Sequence, residues 1–157
     1  MHHLAGARYP RVRSVAANCY MNGADENFEW SYRFLPYCIF RKTTDIITPS
    51  PSRAFVVIDE HEDYIVGSAF WVDCYDLDAG KASWQSFPTS RHSGSATLSF
   101  ADGHAEIKRW LDPKTKQPVK GKWPCDFCTL LEDNSDARWL VERSTSRNPN
   151  LTPAPPP

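Results

Sequence analysis

Ser95-Ala-Thr-Leu-Ser-Phe-Ala-Asp102-Gly103-His-Ala-Glu-Ile-Lys-Arg-Trp-Leu111 is the stretch that decides the fold class. Apolar and polar residues alternate on both sides of Asp102-Gly103, and Asp-Gly is a preferred pair for a two-residue type I′ turn, in which both positions take φ > 0. Closing a ladder there pairs Phe100 with Ala105, Leu98 with Ile107 and Ala96 with Arg109. The opposite face pairs Ala101 with His104, Ser99 with Glu106 and Thr97 with Lys108. One face is apolar and the other polar, as a sheet covered on one side requires. The stretch predicts an antiparallel hairpin.

Upstream, Arg53 to Glu60 reads as a strand, with the run Ala54 to Ile58 suited to cover on both faces. Ser68 to Cys74 reads as another, with Phe70 and Val72 on one side and Ala69 and Trp71 on the other. Residues 1–52 show no sustained period. Asn18 to Tyr37 reads as a long loop with aromatic anchors Phe28, Trp30, Tyr32 and Phe34, and Arg41 to Ile47 as one or two helical turns stopped by Pro49 and Pro51. Downstream of Asp112-Pro113 lies a polar loop. Ser135 to Ser144 then reads as a helix capped by Asn134 or Ser135, with Ala137, Leu140, Val141 and Ser144 facing inward and Arg138 and Glu142 as an exposed i,i+4 pair. The tail from Arg147 is rich in proline and is expected to be disordered, which sets residues 1–147 as one globular domain and 148–157 as the tail. There is no internal repeat.

The chain has 157 residues, enough for one domain, and its 41% hydrophobic and 13% aromatic content can furnish a core. A formal net charge of −1 removes the electrostatic reason to expect nucleic acid or anionic lipid as a main partner. A membrane-spanning helix needs roughly 20 apolar residues, and the longest apolar runs, such as Phe55 to Ile58, fall far short. Met1 to Pro10 carries no apolar signal-peptide core, so the expectation is either a cytosolic chain or one numbered from after an anchor. Five cysteines, Cys19, Cys38, Cys74, Cys125 and Cys128, leave at least one without a partner in the chain. Cys125-Asp-Phe-Cys128 has zinc-knuckle or redox spacing without a second half to complete four ligands, so zinc, a local disulfide and free thiols all remain open.

A wider pattern connects these pieces. His92 is followed by nine residues and then Asp102-Gly103, which resembles the H-X9-DG signature of prepilin-like proteins. Arg13-Ser14-Val15 to Met21-Asn22-Gly23 resembles that family's R-S-x-S-M-N region, and Phe40 to Ile46 with Pro49 to Ser52 its K-x-S-D-I-x-x-P-S stretch. Phe55 to Asp63 is similar to its F-V-F-x-D-E-H-E-D strand, and Asn134 to Leu140 to its closing N-x-D-L-x-W-L helix. The matches keep the family's order over residues 11 to 145. The chain departs from the pattern at Tyr64 to Ser68, where the family usually reads S-I-N-D-G, and the expectation is a head read without the family's N-terminal anchor helix. The resemblance implies a pseudopilin-like globular head, related to type II secretion pseudopilins and type IV pilin-like proteins. It implies a non-enzymatic structural or assembly role, other pseudopilins or secreted cargo as partners, and a periplasmic or cell-surface location. A head without its anchor is expected to be soluble.

Candidate sites follow from residue chemistry. Asp59, Glu60, Glu62 and Asp63 place four carboxylates within five residues, and hard oxygens of this kind suit calcium, with Asp102 as a further candidate ligand. In an extended segment they alternate faces, so two or three at most could converge on one ion. Related major pseudopilins carry a calcium loop in their C-terminal β-region, and the resemblance extends that idea here. His92, Asp102 and His104 could form a metal or catalytic cluster, but turn chemistry already accounts for Asp102 and Gly103. No Ser, Cys or Thr has a base at a recognisable spacing, so no catalytic residue is assigned. Trp30, Tyr32, Trp71, Trp84, Trp110 and Trp123 could stack on a carbohydrate or fill a small core, and core filling is the commoner use. The expected architecture is α+β, an antiparallel sheet of about four strands with long loops and a C-terminal helix. The alternative function is a free-standing extracellular module binding glycans or proteins.

Overall fold

A computed structural model describes residues 13–22, 37–65, 69–76, 81–84, 86–121, 129–132 and 134–150. Of the segments read above, most of the Asn18 to Tyr37 loop, the Cys125/Cys128 pair, Trp123 and the end of the proline-rich tail lie outside these residues. The class is α+β. Among the described residues, eight strands, β1 (Val15–Asn18), β2 (Phe55–Asp59), β3 (Ala69–Phe70), β4 (Val72–Asp76), β5 (Lys81–Trp84), β6 (Ser95–Phe100), β7 (Ala105–Arg109) and β8 (Thr129–Glu132), precede one α-helix, α1 (Ser135–Ser144).

The expected sheet of about four antiparallel strands is corrected in two respects. The strands form two sheets, one in the order β3-β1-β2-β6-β7 and one in the order β4-β5-β8. The first is mixed, because β1 runs parallel to β3, pairing Ala17 with Ala69 and Asn18 with Phe70. The single strand expected over Ser68 to Cys74 is divided between the sheets at Trp71. Its amide donates to the Ser86 hydroxyl (3.1 Å) and its carbonyl accepts from the Ser86 amide (3.1 Å), so the backbone changes neighbours at this residue. The extra strands are only two to five residues long, too short to show a period.

The hairpin is present, but its register is one residue away from the expected one. Ser99 faces Ala105, Leu98 faces Glu106, Thr97 faces Ile107 and Ala96 faces Lys108. The connection is a three-residue loop, Ala101-Asp102-Gly103, in which the Gly103 amide donates to the Phe100 carbonyl (3.0 Å) and the Phe100 amide to the His104 carbonyl (2.9 Å). Only Gly103 takes φ > 0, at +94°, as in a type I turn followed by a glycine bulge. Contacts outside the hairpin select this form. The Ala101 amide donates to the Ala54 carbonyl (2.9 Å) and the Asp102 amide to the Pro51 carbonyl (3.3 Å), so Ala101 is held by the turn before β2 and is not free to pair with His104. A one-residue slip reverses the faces of a strand, and Ile107 accordingly stands 69% exposed.

The apolar face of β6 belongs to the main core, which α1 joins. Ala96, Leu98 and Phe100 share a core with Ala137, Leu140 and Val141, along with Phe55, Ile58, Phe70 and Trp110. The helix has the bounds its sequence predicts, and Asn134 is the cap, its side chain accepting from the Ala137 amide (2.8 Å). The expected Arg138–Glu142 pair is replaced by contacts of Glu142 with Arg53 (3.7 Å) and Arg143 (3.8 Å). Arg41 to Ile47 contains a single 3-10 turn, Thr43–Asp45, whose Asp45 carboxylate accepts from the Arg41 and Lys42 amides. Among the described residues, no helix is long and apolar enough to cross a membrane.

Candidate functional site

The acidic run leaves the end of β2 and enters a 3-10 turn, Glu62–Tyr64. Extended geometry followed by a turn sends the side chains in different directions. Asp59 accepts from the Thr97 amide (3.4 Å) and lies 3.5 Å from His92 Nε2. Glu60 turns inward to the Arg13 guanidinium (3.3 Å), while Glu62 meets Arg91 (3.2 Å). Asp63 accepts from the backbone amides of Lys120 (2.6 Å) and Gly121 (2.9 Å).

His61, in the middle of the run, is buried. Its Nδ1 accepts from the Asp63 amide (3.2 Å), which places the ring proton on Nε2, 3.0 Å from the Gln117 carbonyl that accepts it. The Tyr64 ring meets it edge-on at 5.5 Å. The segment is thus a hub joining the chain at Arg13, the loop over 86–92 and the loop over 113–121 to the end of β2.

The four carboxylates considered for calcium are thus dispersed. Asp59, Glu60, Glu62 and Asp63 each have their own partner, and Asp102 lies at the far end of β6, on the order of 20 Å away at about 3.4 Å per strand residue. Among the described residues, no three His, Cys, Asp or Glu side chains come together as a metal site. His92 and Asp102, six strand residues apart, form no common site either. His92 sits at the base of the hairpin against Asp59, while the Asp102 carboxylate at the tip accepts from the His104 amide (3.2 Å) and contacts its ring, which stacks on Phe100 at 4.4 Å. The contact with His104 holds the Asp102 carboxyl below its usual range.

Among the described residues, Glu60 is the group whose protonation the fold alters most. Burial pushes its carboxyl up from 4.5 to about 7, opposed by the Arg13 guanidinium and the nearby Ser86 hydroxyl. Its Oε2 takes the Arg13 contact, and its buried Oε1 has no hydrogen-bond partner of good geometry.

Cys125 and Cys128 lie outside the described residues, so neither zinc nor a disulfide is assigned there, while Cys19 is buried and Cys38 is a free, partly buried thiol. Of the aromatic set, Trp110 is fully buried and donates to the Thr89 carbonyl (2.7 Å), and Trp71 packs against the core. Trp30, Tyr32 and Trp123 lie outside the described residues, as does the side chain of Trp84.

The sequence reading assigned no contact to two framework residues, Asn18 and Asp136. Asn18 is buried, its amide donating to the Phe55 (3.0 Å) and Ser144 (2.9 Å) carbonyls while its oxygen accepts from the Tyr20 amide (3.1 Å). Asp136 accepts from the amides of Leu111 (2.9 Å) and Asp112 (2.8 Å) and so fastens the end of the hairpin to the start of α1. For Asp136 a signal existed, an acid in the first turn of a helix after an Asn cap. Asn18 offered none, because its partners are backbone atoms distant in sequence.

No protein-family model, curated protein sequence or solved structure matches the chain.

Proposed function

We propose that this protein is a non-enzymatic structural or assembly subunit, resembling the head of a type II secretion pseudopilin or type IV pilin-like protein, that makes contacts with neighbouring subunits or cargo at the periplasmic or outer cell surface. The observation carrying this reading is the use of the motif residues. His92, Asp102, Gly103, Asp59, His61, Asn134 and Asp136 all lie in internal contacts or turns that hold the framework together. Motif residues with that use favour a scaffold over a reaction centre, since a catalytic set would converge on one point. The resemblance in motif order supplies the class of scaffold.

The test is binding of the purified chain to pseudopilin heads encoded by the same genome, measured by biolayer interferometry. Weak, saturable binding to at least one of them is expected, of the sort that a filament multiplies by avidity. Turnover of ester, peptide or glycoside substrates that is abolished by His92→Ala or Asp102→Asn would overturn the reading. Tight binding to a polysaccharide that depends on an exposed tryptophan would point to a free-standing glycan-binding module instead.

A further inference from the structure

β7 is the outermost strand of its sheet, and among the described residues no strand pairs with its outer edge. The ladder to β6 sets which backbone groups remain open. His104 accepts from the Phe100 amide and the Trp110 amide donates to Gly94, so the even-numbered residues between them point toward β6. The amides and carbonyls of Ala105, Ile107 and Arg109 point the other way.

Beside this edge, β7 and α1 enclose a groove of about 410 Å³. Arg53, Lys108, Arg109 and Arg143 contribute four cations to its lining, together with Trp139 and the carboxylate of Glu106. Glu142 is shared between Arg53 and Arg143. Lys108 and Arg143 both lie over the Trp139 ring, at 5.0 and 3.9 Å from its centroid. Among the described residues, neither Lys108 nor Arg109 has a carboxylate within ion-pair distance. Burial and the neighbouring Arg53 guanidinium lower the affinity of Arg143 for its proton, and Glu142 and Glu106 only partly offset this. Among the described residues, the groove has an excess of positive charge.

We propose that the outer edge of β7 is a docking site for an extended segment of a partner protein in which acidic and apolar residues alternate. Such a segment adds to the sheet by backbone hydrogen bonds with Ala105, Ile107 and Arg109. Side chains of an added strand alternate between the two faces of the sheet. Every second one falls on the face shared by Glu106 and Lys108, beside Lys108, Arg143 and Arg53, where a carboxylate completes the charge. The intervening ones fall beside the exposed Ile107, where an apolar side chain gains cover. Lys108 and Arg109 also repel basic strands, which gives the edge selectivity. This site deepens the scaffold reading and rests on it for its biological setting.

The test uses the whole chain and a blocked, fluorescent peptide of alternating glutamate and valine, with a lysine–valine peptide as control. The glutamate peptide should bind and the lysine peptide should not. Amide chemical-shift changes should centre on residues 105–109. Lys108→Glu should weaken binding about tenfold or more, as for a charge in direct contact. Ile107→Pro removes only an outward-facing amide, a position where an edge strand tolerates proline, and it should weaken binding at least as much with the fold retained. Should that variant unfold, N-methylation of the peptide backbone tests the same hydrogen bonds from the other side. Equal binding of both peptides, shifts centred elsewhere, or full affinity with the amides blocked would each overturn the proposal. A concentration-dependent dimer in sedimentation, abolished by Ile107→Pro, would assign the edge to a second copy of this chain and overturn it too. Pseudopilin binding unaffected by Ile107→Pro removes this site alone, whereas peptide binding without pseudopilin binding removes the scaffold reading alone.

Discussion

The end of β2 and the outer edge of β7 are both dense in charge, and they use it in opposite ways. At the end of β2, Asp59, Glu60, Glu62 and Asp63 each meet a partner from another part of the chain. Beside β7, Arg53 and Arg143 compete for one carboxylate, and Lys108 rests on an aromatic ring. Charges answered internally hold loops in place, whereas charges left in excess are free to recognise something else. The first region should therefore respond to mutation through stability and the second through binding.

The largest effect expected is at His61. His61→Ala empties a buried site, leaves the Gln117 carbonyl with only the long contact from the Ser90 hydroxyl (3.5 Å) and orphans the Asp63 amide, which should cost about 3 kcal/mol in urea unfolding. A cost below about 0.5 kcal/mol would mean that the loops hold without the hub.

Glu60 sharpens the comparison through pH. Its folded value near 7 lies above its unfolded value near 4.5, so within that window the folded chain keeps a proton that the unfolded chain has lost. The contribution of Glu60 to stability is greatest below the lower value and declines as pH rises through about 7, by roughly 3 kcal/mol in all. Unfolding of Glu60→Gln followed from pH 4 to 8 should lack this decline, and an unchanged slope would place the titration elsewhere.

A smaller change is expected at the hairpin tip. Nothing lies within 4 Å of the position a Cβ would occupy at Gly103, so the cost of Gly103→Val comes from its φ of +94° alone. It should destabilise by about 1 kcal/mol or more, measured by thermal unfolding. Smallest of all are the groove substitutions. Arg53→Ala should change stability by less than about 0.5 kcal/mol, as exposed charges do. Lys108 is half-buried over Trp139, and Lys108→Ala should cost about 1 kcal/mol at most while it weakens peptide binding. A large stability loss at either position would erase the contrast between the two regions.

Much of the local structure was legible in the residues. The helix over Ser135–Ser144, the strand over Phe55–Asp59 and the presence of a hairpin closing at Asp102-Gly103 depend on neighbours a few positions apart, where periodicity, caps and turn residues act directly. The candidate site was legible as composition and not as geometry. Four carboxylates close in sequence suggested one ion, but each is claimed by a partner that sequence spacing does not reveal, such as Arg13, Arg91 and the amides of Lys120 and Gly121.

By itself the sequence determined the C-terminal helix, the strand at β2, a hairpin closing at Asp102-Gly103, and that no long apolar helix is present among the described elements. Tertiary structure decided the hairpin register, the division of one expected strand between two sheets, the parallel pairing of β1 with β3, and the exposure of Ile107. The physical reason is common to all four. Two hairpin registers one residue apart differ little in local energy, and a short strand can pair on either side. A few distant hydrogen bonds, such as Ala101 to Ala54 and Trp71 to Ser86, are then enough to choose between them.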